Sequence, residues 1–466
     1  MTSTRIPSIG TSRRNFLKTA STSTFAALLT QVTSSNLRAA NSLVSGKHYE
    51  IVGVKRTTVR LPYREVPGRA MDRELPHWRY SEICEIKLRS GKVGIGETLL
   101  YYTWGVPTDE DVKNIIGKNA ASLLWQDRLG AGLQSALFDA VAKTSDVPIH
   151  ALIGQKNNQT TPLSWWNIDT SAEDMASECK TAHELGYMSY KTKGRPWFDI
   201  WRQLELASKA VPPEFKIDMD FNDTLRTAEQ GMPILKGLEK YPQVDIYETP
   251  IPQSDVEGNK KIHAATRVQL ALHYGTPAPD VCVKEDVCDG FVIGGGASNV
   301  MRAGLFCEGA KKKFWLQLVG TGLTAAYSLH FGGVLKMAQW PAVNCHQLFQ
   351  HDLLVRPIKL TNGRAMVPDQ PGLGFELDRD AVERYKVDKP TSRPDPPRLI
   401  ETVFADGRRM VTTNNGNGNF MLTAGNAGKY GYYQDGADTK LVPNDGSARW
   451  QELYQQAREN GPIVVK

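Results

Sequence analysis

The sequence predicts an α/β chain built on a (β/α)7-8 barrel, with an α+β layer in front of it. Strand and helix candidates alternate from residue 160 to about residue 320, which implies a parallel sheet. Charged residues stand at the ends of four consecutive apolar strands, one β/α repeat apart. A doubly wound sheet is the alternative for the same alternation, but no GxGxxG follows the first strand, which argues against a dinucleotide site.

The first forty residues read as a leader. Thr11-Ser12-Arg13-Arg14-Asn15-Phe16-Leu17-Lys18 is a twin-arginine pattern, followed by a mildly apolar stretch from Thr22 to Val32 and a small-residue site near Ala39-Ala40. Such signals are receptor-read addresses and not anchors, so residues 1–40 are expected to direct export to the periplasm. Residues 48–62, 80–90 and 93–98 follow as an antiparallel meander turning at Ser90-Gly91-Lys92, and 129–142 is helical, giving an α+β layer over 46–160. The barrel occupies 161–350, with strands at 162–166, 188–193, 215–220, 244–248, 268–273, 289–293 and 314–319 and helices at 171–186, 198–210, 224–239 and 298–311. Residues 351–390 lead back from the barrel. The last segment, 391–466, opens on Thr391-Ser-Arg-Pro-Asp-Pro-Pro397 and contains the Asn/Gly run 414–419, so it reads as a loop-rich extension wrapped on the surface.

Composition bounds the partners. Apolar residues are 41% and charged residues 23% of 466, enough for a large core. The formal charge of +6 is carried by the leader: five of the 56 Lys and Arg lie within residues 1–40, which hold no acid, so 51 basic side chains face 50 acidic ones beyond it. No basic field for nucleic acid or an anionic membrane remains. The six cysteines are scattered without a CxxC and read mainly as buried small hydrophobes, with Cys282 and Cys288 the closest pair should an exported location permit a bridge.

The chemistry concentrates on the strand ends. Lys191 and Lys193 share one face of their strand by alternation. Asp220-Phe221-Asn222 ends the next strand, Glu248-Thr249-Pro250 the one after, and His273 the fourth. Lys193, Asp220, Glu248 and His273 are separated by 27, 28 and 25 residues, so they converge at one end of a barrel. Two carboxylates and a third ligand there suit a divalent ion, and a lysine beside that ion can serve as a base.

These segments resemble the mandelate racemase and muconate lactonizing branch of the enolase superfamily over residues 46–390. Lys191-Thr192-Lys193 resembles the family's KxK, Asp220-Phe221-Asn222 its DxN, and Tyr247-Glu248-Thr249-Pro250 its ExP. Asp289-Gly290-Phe-Val-Ile-Gly294-Gly295 resembles its sixth-strand segment, and Pro371-Gly-Leu-Gly-Phe-Glu-Leu377 the stretch that returns to the capping domain. The resemblance implies a modified TIM barrel with an N-terminal capping domain and α-proton abstraction from a carboxylate through an enediolate. It implies Asp220, Glu248 and His273 as metal ligands, Lys193 as base with Lys191 beside it, Asp289 as an acid, and Asn222 and His346 as substrate contacts. Mg is the family's ion. It also implies a homo-oligomer and a small carboxylate substrate, and the basic loop Arg64–Trp78, placed where the capping domain closes, suits an acid sugar. Trp165 and Trp166 are expected to divide between packing and pocket wall.

Three departures shape the expectation. His273 stands where the family carries Glu or Asp, which favours Mn, Fe or Zn more than a carboxylate would. The seventh strand, Phe314–Gly320, has no His, so a two-base racemase is not expected. Only 16 residues separate His273 from Asp289, and Pro277 and Pro279 leave room for a short fifth helix only. The expected function is a dehydratase- or epimerase-like lyase or isomerase. The alternative is a catalytically lapsed exported ligand-binding protein on the same scaffold.

Overall fold

The structure, a computed structural model, describes residues 46–465. The leader expected over 1–40 lies outside the described residues. The architecture below belongs to the unit that begins at Tyr49.

Strands β1 (Ile51–Arg60), β2 (Tyr80–Leu88) and β3 (Val93–Leu99) form the antiparallel meander in that order. Helix Gly130–Thr144 lies on β2 and β3. It approaches so closely that a Cβ at Gly94 would overlap the backbone of Ala136, and one at Gly96 that of Gly132, so only glycine fits. The stretch 64–78 is not a loop: it forms helix Glu65–Glu74 and a 3-10 turn, Pro76–Arg79. Arg64, Arg69 and Arg73 on it pair with Glu178, Asp174 and Glu74, so the basic stretch is largely neutralised.

The barrel strands are β4 (Thr160–Trp166), β5 (Ser189–Lys193), β6 (Lys216–Asp220), β7 (Val244–Glu248), β8 (Gln269–His273), β9 (Gly290–Ile293), β10 (Lys313–Leu316) and β11 (Ala342–Val343). Each pairs in parallel with the next from β4 to β10, and β11 pairs in parallel with β4. Trp340 N–H donates to Phe314 O at 3.2 Å and Gly320 N–H to Asn344 O at 3.0 Å, which ties β10 to the β11 segment and closes the ring. Seven helices cover it. The fifth, Pro279–Lys284, has six residues, as its prolines require.

The N-terminal layer also caps barrel helices. Glu97 on β3 accepts from Thr321 N–H at 2.9 Å, Thr321 Oγ1 at 2.9 Å and Thr324 Oγ1 at 2.7 Å at the start of helix Gly322–Val334. Asp127 accepts from Ser298 N–H at 3.0 Å and Asn299 N–H at 3.1 Å at the start of helix Ala297–Ala310. Each carboxylate satisfies otherwise unpaired helix N–H groups and complements the positive end of the helix dipole. The chain then returns through the hairpin β12 (Leu360–Thr361) and β13 (Arg364–Met366), which adds antiparallel to β4.

Residues 391–466 depart from the surface loop expected. Strands β14 (Leu399–Val403), β15 (Arg409–Thr413), β16 (Asp438–Val442) and β17 (Ile463–Val465) make a separate antiparallel sheet in the order β16-β14-β15-β17, with helices Phe420–Asn426 and Ala448–Asn460. The alternating stretch on either side of Asp406-Gly407 is a hairpin signal that the flanking Pro and Asn/Gly runs outweigh in a sequence reading. Its core includes Ile400, Phe404, Phe420 and Met421, completed by Trp197 and Phe198 from the loop after β5. Among the described residues no helix is long and apolar enough to cross a membrane, and all six cysteines are buried free thiols.

Candidate active site

A cavity of ≈ 330 Å3 lies over the C-terminal ends of the barrel strands. Three parts of the chain wall it. The barrel supplies Trp166, Lys191, Lys193, Asp220, His273 and Gln317; the N-terminal layer His77, Trp78, Tyr101 and Tyr102; the C-terminal sheet region Arg393, Asn419 and Leu422. Trp166 is the pocket wall, stacked on Trp78 at 5.5 Å between centroids. Trp165 faces the other way, and its Nε1–H donates to Glu178.

Strand register assembles the charges. Lys193 is paired with Asp220 across β5 and β6, and Asp220 with Glu248 across β6 and β7, so three strand-end side chains stand side by side about 5 Å apart. Lys193 Nζ donates to Asp220 Oδ2 at 2.5 Å and to Asn222 Oδ1 at 3.1 Å. Lys191 Nζ lies against Glu248 Oε2, 3.9 Å from Asp220 Oδ2 and 3.1 Å from Gln317 Oε1, under the Trp315 ring. His273 Nε2 is 3.0 Å from Glu248 Oε1. Asn222 sits in the left-handed region, with φ 43°, which turns its N–H onto Asp220 Oδ1 at 2.9 Å and its side-chain oxygen toward Lys193.

The two lysines differ electrically. Burial is the largest influence on each and disfavours the ammonium. For Lys193 the adjacent Lys191 and Arg195 add to that, Asp220 opposes it, and the net pKa is lowered. For Lys191 the carboxylates of Glu248 and Asp220 outweigh burial and the pKa is raised. Glu248 is fully buried, yet Lys191 and His273 hold its carboxyl well below the usual carboxylate range.

Two expected site residues lie elsewhere. Asp289 precedes β9 at its N-terminal end, the opposite end of the barrel from the cavity. There it accepts from Leu270 N–H at 2.7 Å and meets His263 Nε2 at 3.2 Å. The cavity end of β9 carries Ile293 and Gly294 instead. His346 points outward and pairs with the Tyr187 hydroxyl at 3.1 Å in a separate groove with Arg64 and Phe349. The left-handed Cys345, φ 61°, turns the chain there, so Cys345 faces the cavity and its neighbour does not.

Sequence reasoning missed several wall residues. Arg195, two positions past Lys193, donates to Asp169 Oδ1 at 3.1 Å and to Asn222 Oδ1 at 2.7 Å, and so fixes the Asn222 amide. Trp197 Nε1–H holds the other Asp169 oxygen at 2.9 Å. Alternation continued past the strand end, through 191, 193 and 195, is the signal that could have found Arg195. Gln317 and Arg393 carry no such local signal.

Asp220, Glu248 and His273 form a chemically suitable donor set for a divalent ion: two acceptor-only carboxylates and an imidazole. Both Glu248 oxygens lack a directed hydrogen bond despite their ionic contacts, so they keep coordinating capacity. Among the described residues no three such side chains converge on one point, because the Lys191 ammonium lies against the same carboxylates. A divalent ion held there would compete with Lys191 for those oxygens.

Residues 174–381 match the family model described as "Enolase C-terminal domain-like". That segment is an enolase-superfamily domain. The chain's relatives and structural neighbours belong to the mandelate racemase and muconate lactonizing branch. Among curated relatives, muconate cycloisomerase 1 of Rhodococcus opacus is 24% identical over 282 residues, 55% of this chain and 71% of that one. Arabinonate dehydratase of Saccharolobus solfataricus is 23% identical over 342 residues, 65% of this chain and 89% of that one. The crystal structure of 2-chloromuconate cycloisomerase from Rhodococcus opacus superposes with a TM-score of 0.60 at 20% identity, covering 73% of this chain and all of that one. The chain thus has the fold of those enzymes, and its matched family segment ends before the C-terminal sheet begins.

Proposed function

We propose that the protein is a lyase or isomerase that removes the α-proton of a small carboxylate of the acid-sugar class, with Lys193 as its base. The observation that carries this reading is the Lys193–Asp220 pair at the cavity floor. The lysine has a lowered pKa and so reaches its neutral form more readily than a free lysine. Lys191 keeps its charge and stands where negative charge develops as the carboxylate becomes an enediolate. Asn222, fixed by Arg195, positions the Lys193 amine. Trp78, Trp166 and Tyr102 exclude water from the reacting carbon.

Asp220, Glu248 and His273 would hold the divalent ion. When bound, that ion supplies Lewis-acid stabilisation of the substrate carboxylate. The cavity lining from the strand ends of β10 and β11 is Gln317, Val319 and Val343, with no acid at the cavity end of β9 or β10. One-base chemistry such as dehydration or cycloisomerisation therefore fits better than racemisation. Arabinonate dehydratase and muconate cycloisomerase among the relatives support that class.

The test is exchange of α-deuterium from a panel of deuterated hydroxy acids into solvent, with Mg or Mn present. Wild type should exchange at least one acid and Lys193→Met should not. Equal exchange by both proteins would refute the assignment. Export through the twin-arginine route is a separate proposal resting on Arg13-Arg14-Asn15-Phe16-Leu17. Replacing both arginines with lysine should retain the protein in the cytoplasm.

A further inference from the structure

We infer that Arg393, delivered by the C-terminal region, binds a second anionic group of the substrate and selects acids that carry one remote from the reacting carboxylate. The inference rests on the carboxylate reading above and extends it to the wall that the C-terminal region supplies. Lys191, Lys193 and Arg195 each have a carboxylate partner, Glu248, Asp220 and Asp169. Arg393 lines the same cavity and has no carboxylate within ion-pair distance among the described residues. Among the described residues its one hydrogen bond goes to the Gly416 carbonyl, which accepts from Nη2. A half-buried guanidinium with one backbone acceptor retains donors in a planar fork, the geometry that matches a carboxylate or phosphate.

The surroundings are built to hold it there. The Tyr101 hydroxyl lies 3.1 Å from both the Pro390 and the Ser392 carbonyl, fastening the segment that carries Arg393 to the N-terminal layer. A Cβ at Gly418 would overlap Nη1 of Arg393, so glycine leaves room for the fork at the wall. Asn419 lines the wall beside it. The local field is positive: besides burial, Arg393 and Arg398 push the His77 imidazole down to about 4, with Asp395 opposing. Glu74, the acid on this wall, is engaged by Arg73 at 2.8 Å, and burial raises its pKa. An anion in the cavity thus meets two sets of cations, the lysines of the barrel strands and Arg393 of the C-terminal region.

The test compares pairs of α-hydroxy acids of equal chain length, one ending in a hydroxymethyl group and the other in a carboxylate. Binding to the full chain is measured by calorimetry with Mn present, and α-deuterium exchange is followed in parallel. Wild type should bind the terminal carboxylate at least about tenfold more tightly than its hydroxymethyl partner. Arg393→Gln should bring the two within about twofold. Gly418→Ala, which displaces the fork but keeps its charge, should narrow the gap as well. A wild type that treats the pair alike, a gap that survives Arg393→Gln, or no binding of any acid would overturn the inference. A gap that depends on Arg393, without exchange of any bound acid, would uphold the anion subsite and refute the reaction. Exchange without a gap would do the reverse.

Discussion

The Nζ of Lys193 stands 2.5 Å from Oδ2 of Asp220, its register partner on the next barrel strand. Two residues earlier, Lys191 is held by Glu248, two strands away. One strand face thus carries two ammonium groups of different character, one lowered and one raised in pKa. General acid–base chemistry uses such a division, because a base must lose its proton at working pH while its neighbour keeps its charge.

The first prediction separates these roles. Lys193→Met should lower α-deuterium exchange by about 10²–10⁴-fold, the usual contribution of a positioned base. Lys193→Arg should be equally inactive, because a guanidinium keeps its proton. Circular dichroism of both variants should match wild type.

Lys191 would compete with a bound metal ion for Glu248. Lys191→Met removes the competing cation and should tighten Mn binding by about tenfold in a calorimetric titration, while lowering exchange at saturating metal. Unchanged or weaker Mn binding would contradict the competition.

Asp289 lies at the far end of the barrel and accepts from Leu270 N–H. Asp289→Asn should leave exchange within about twofold of wild type. It should cost about 1 kcal/mol in urea unfolding through the lost charged contact with His263.

Glu97 joins the N-terminal layer to the barrel by capping helix Gly322–Val334. Glu97→Ala leaves those buried donors unpaired and should cost about 3 kcal/mol in urea unfolding. Glu97→Gln, which retains an acceptor, should cost less.

His330 fixes a pH dependence of stability. Its Nδ1 accepts from His150 N–H at 3.2 Å, and its Nε2–H donates to Leu373 O at 3.2 Å, so only the neutral ring fits. Burial drives its folded-state pKa down to about 3, and burial with Arg393 and Arg398 drives His77 to about 4. The unfolded chain therefore binds more protons below pH ~6.5. Stability should fall as pH drops from there toward 4, by about 1.4 kcal/mol per pH unit for each histidine, and should not change through these groups above it. Urea midpoints at pH 7.5, 6 and 5 check this, and His330→Asn should flatten the slope.

Local periodicity made the cavity floor legible. Lys191, Lys193, Asp220 and Glu248 occupy ends of strands whose apolar runs and repeat spacing are properties of the sequence itself, and parallel register then brings them together. Asp289 misled because β9 has four residues: the same segment supports an acid at either end, and backbone pairing with Leu270 decides which. His346 misled because one left-handed residue, Cys345, reverses the side-chain sense.

The barrel, its face of charged strand ends and the family resemblance are legible in the chain alone, because each rests on apolar runs and strand-end residues that recur at the spacing of one β/α unit. Tertiary structure alone decided the third wall of the cavity and the cap on helix Gly322–Val334. Arg393 lines one cavity with Lys191 and Lys193, Trp197 completes the core of a sheet that begins at Leu399, and Glu97 caps a helix at Thr321, 224 residues away. Such contacts are set by where whole elements pack, and no local propensity records them.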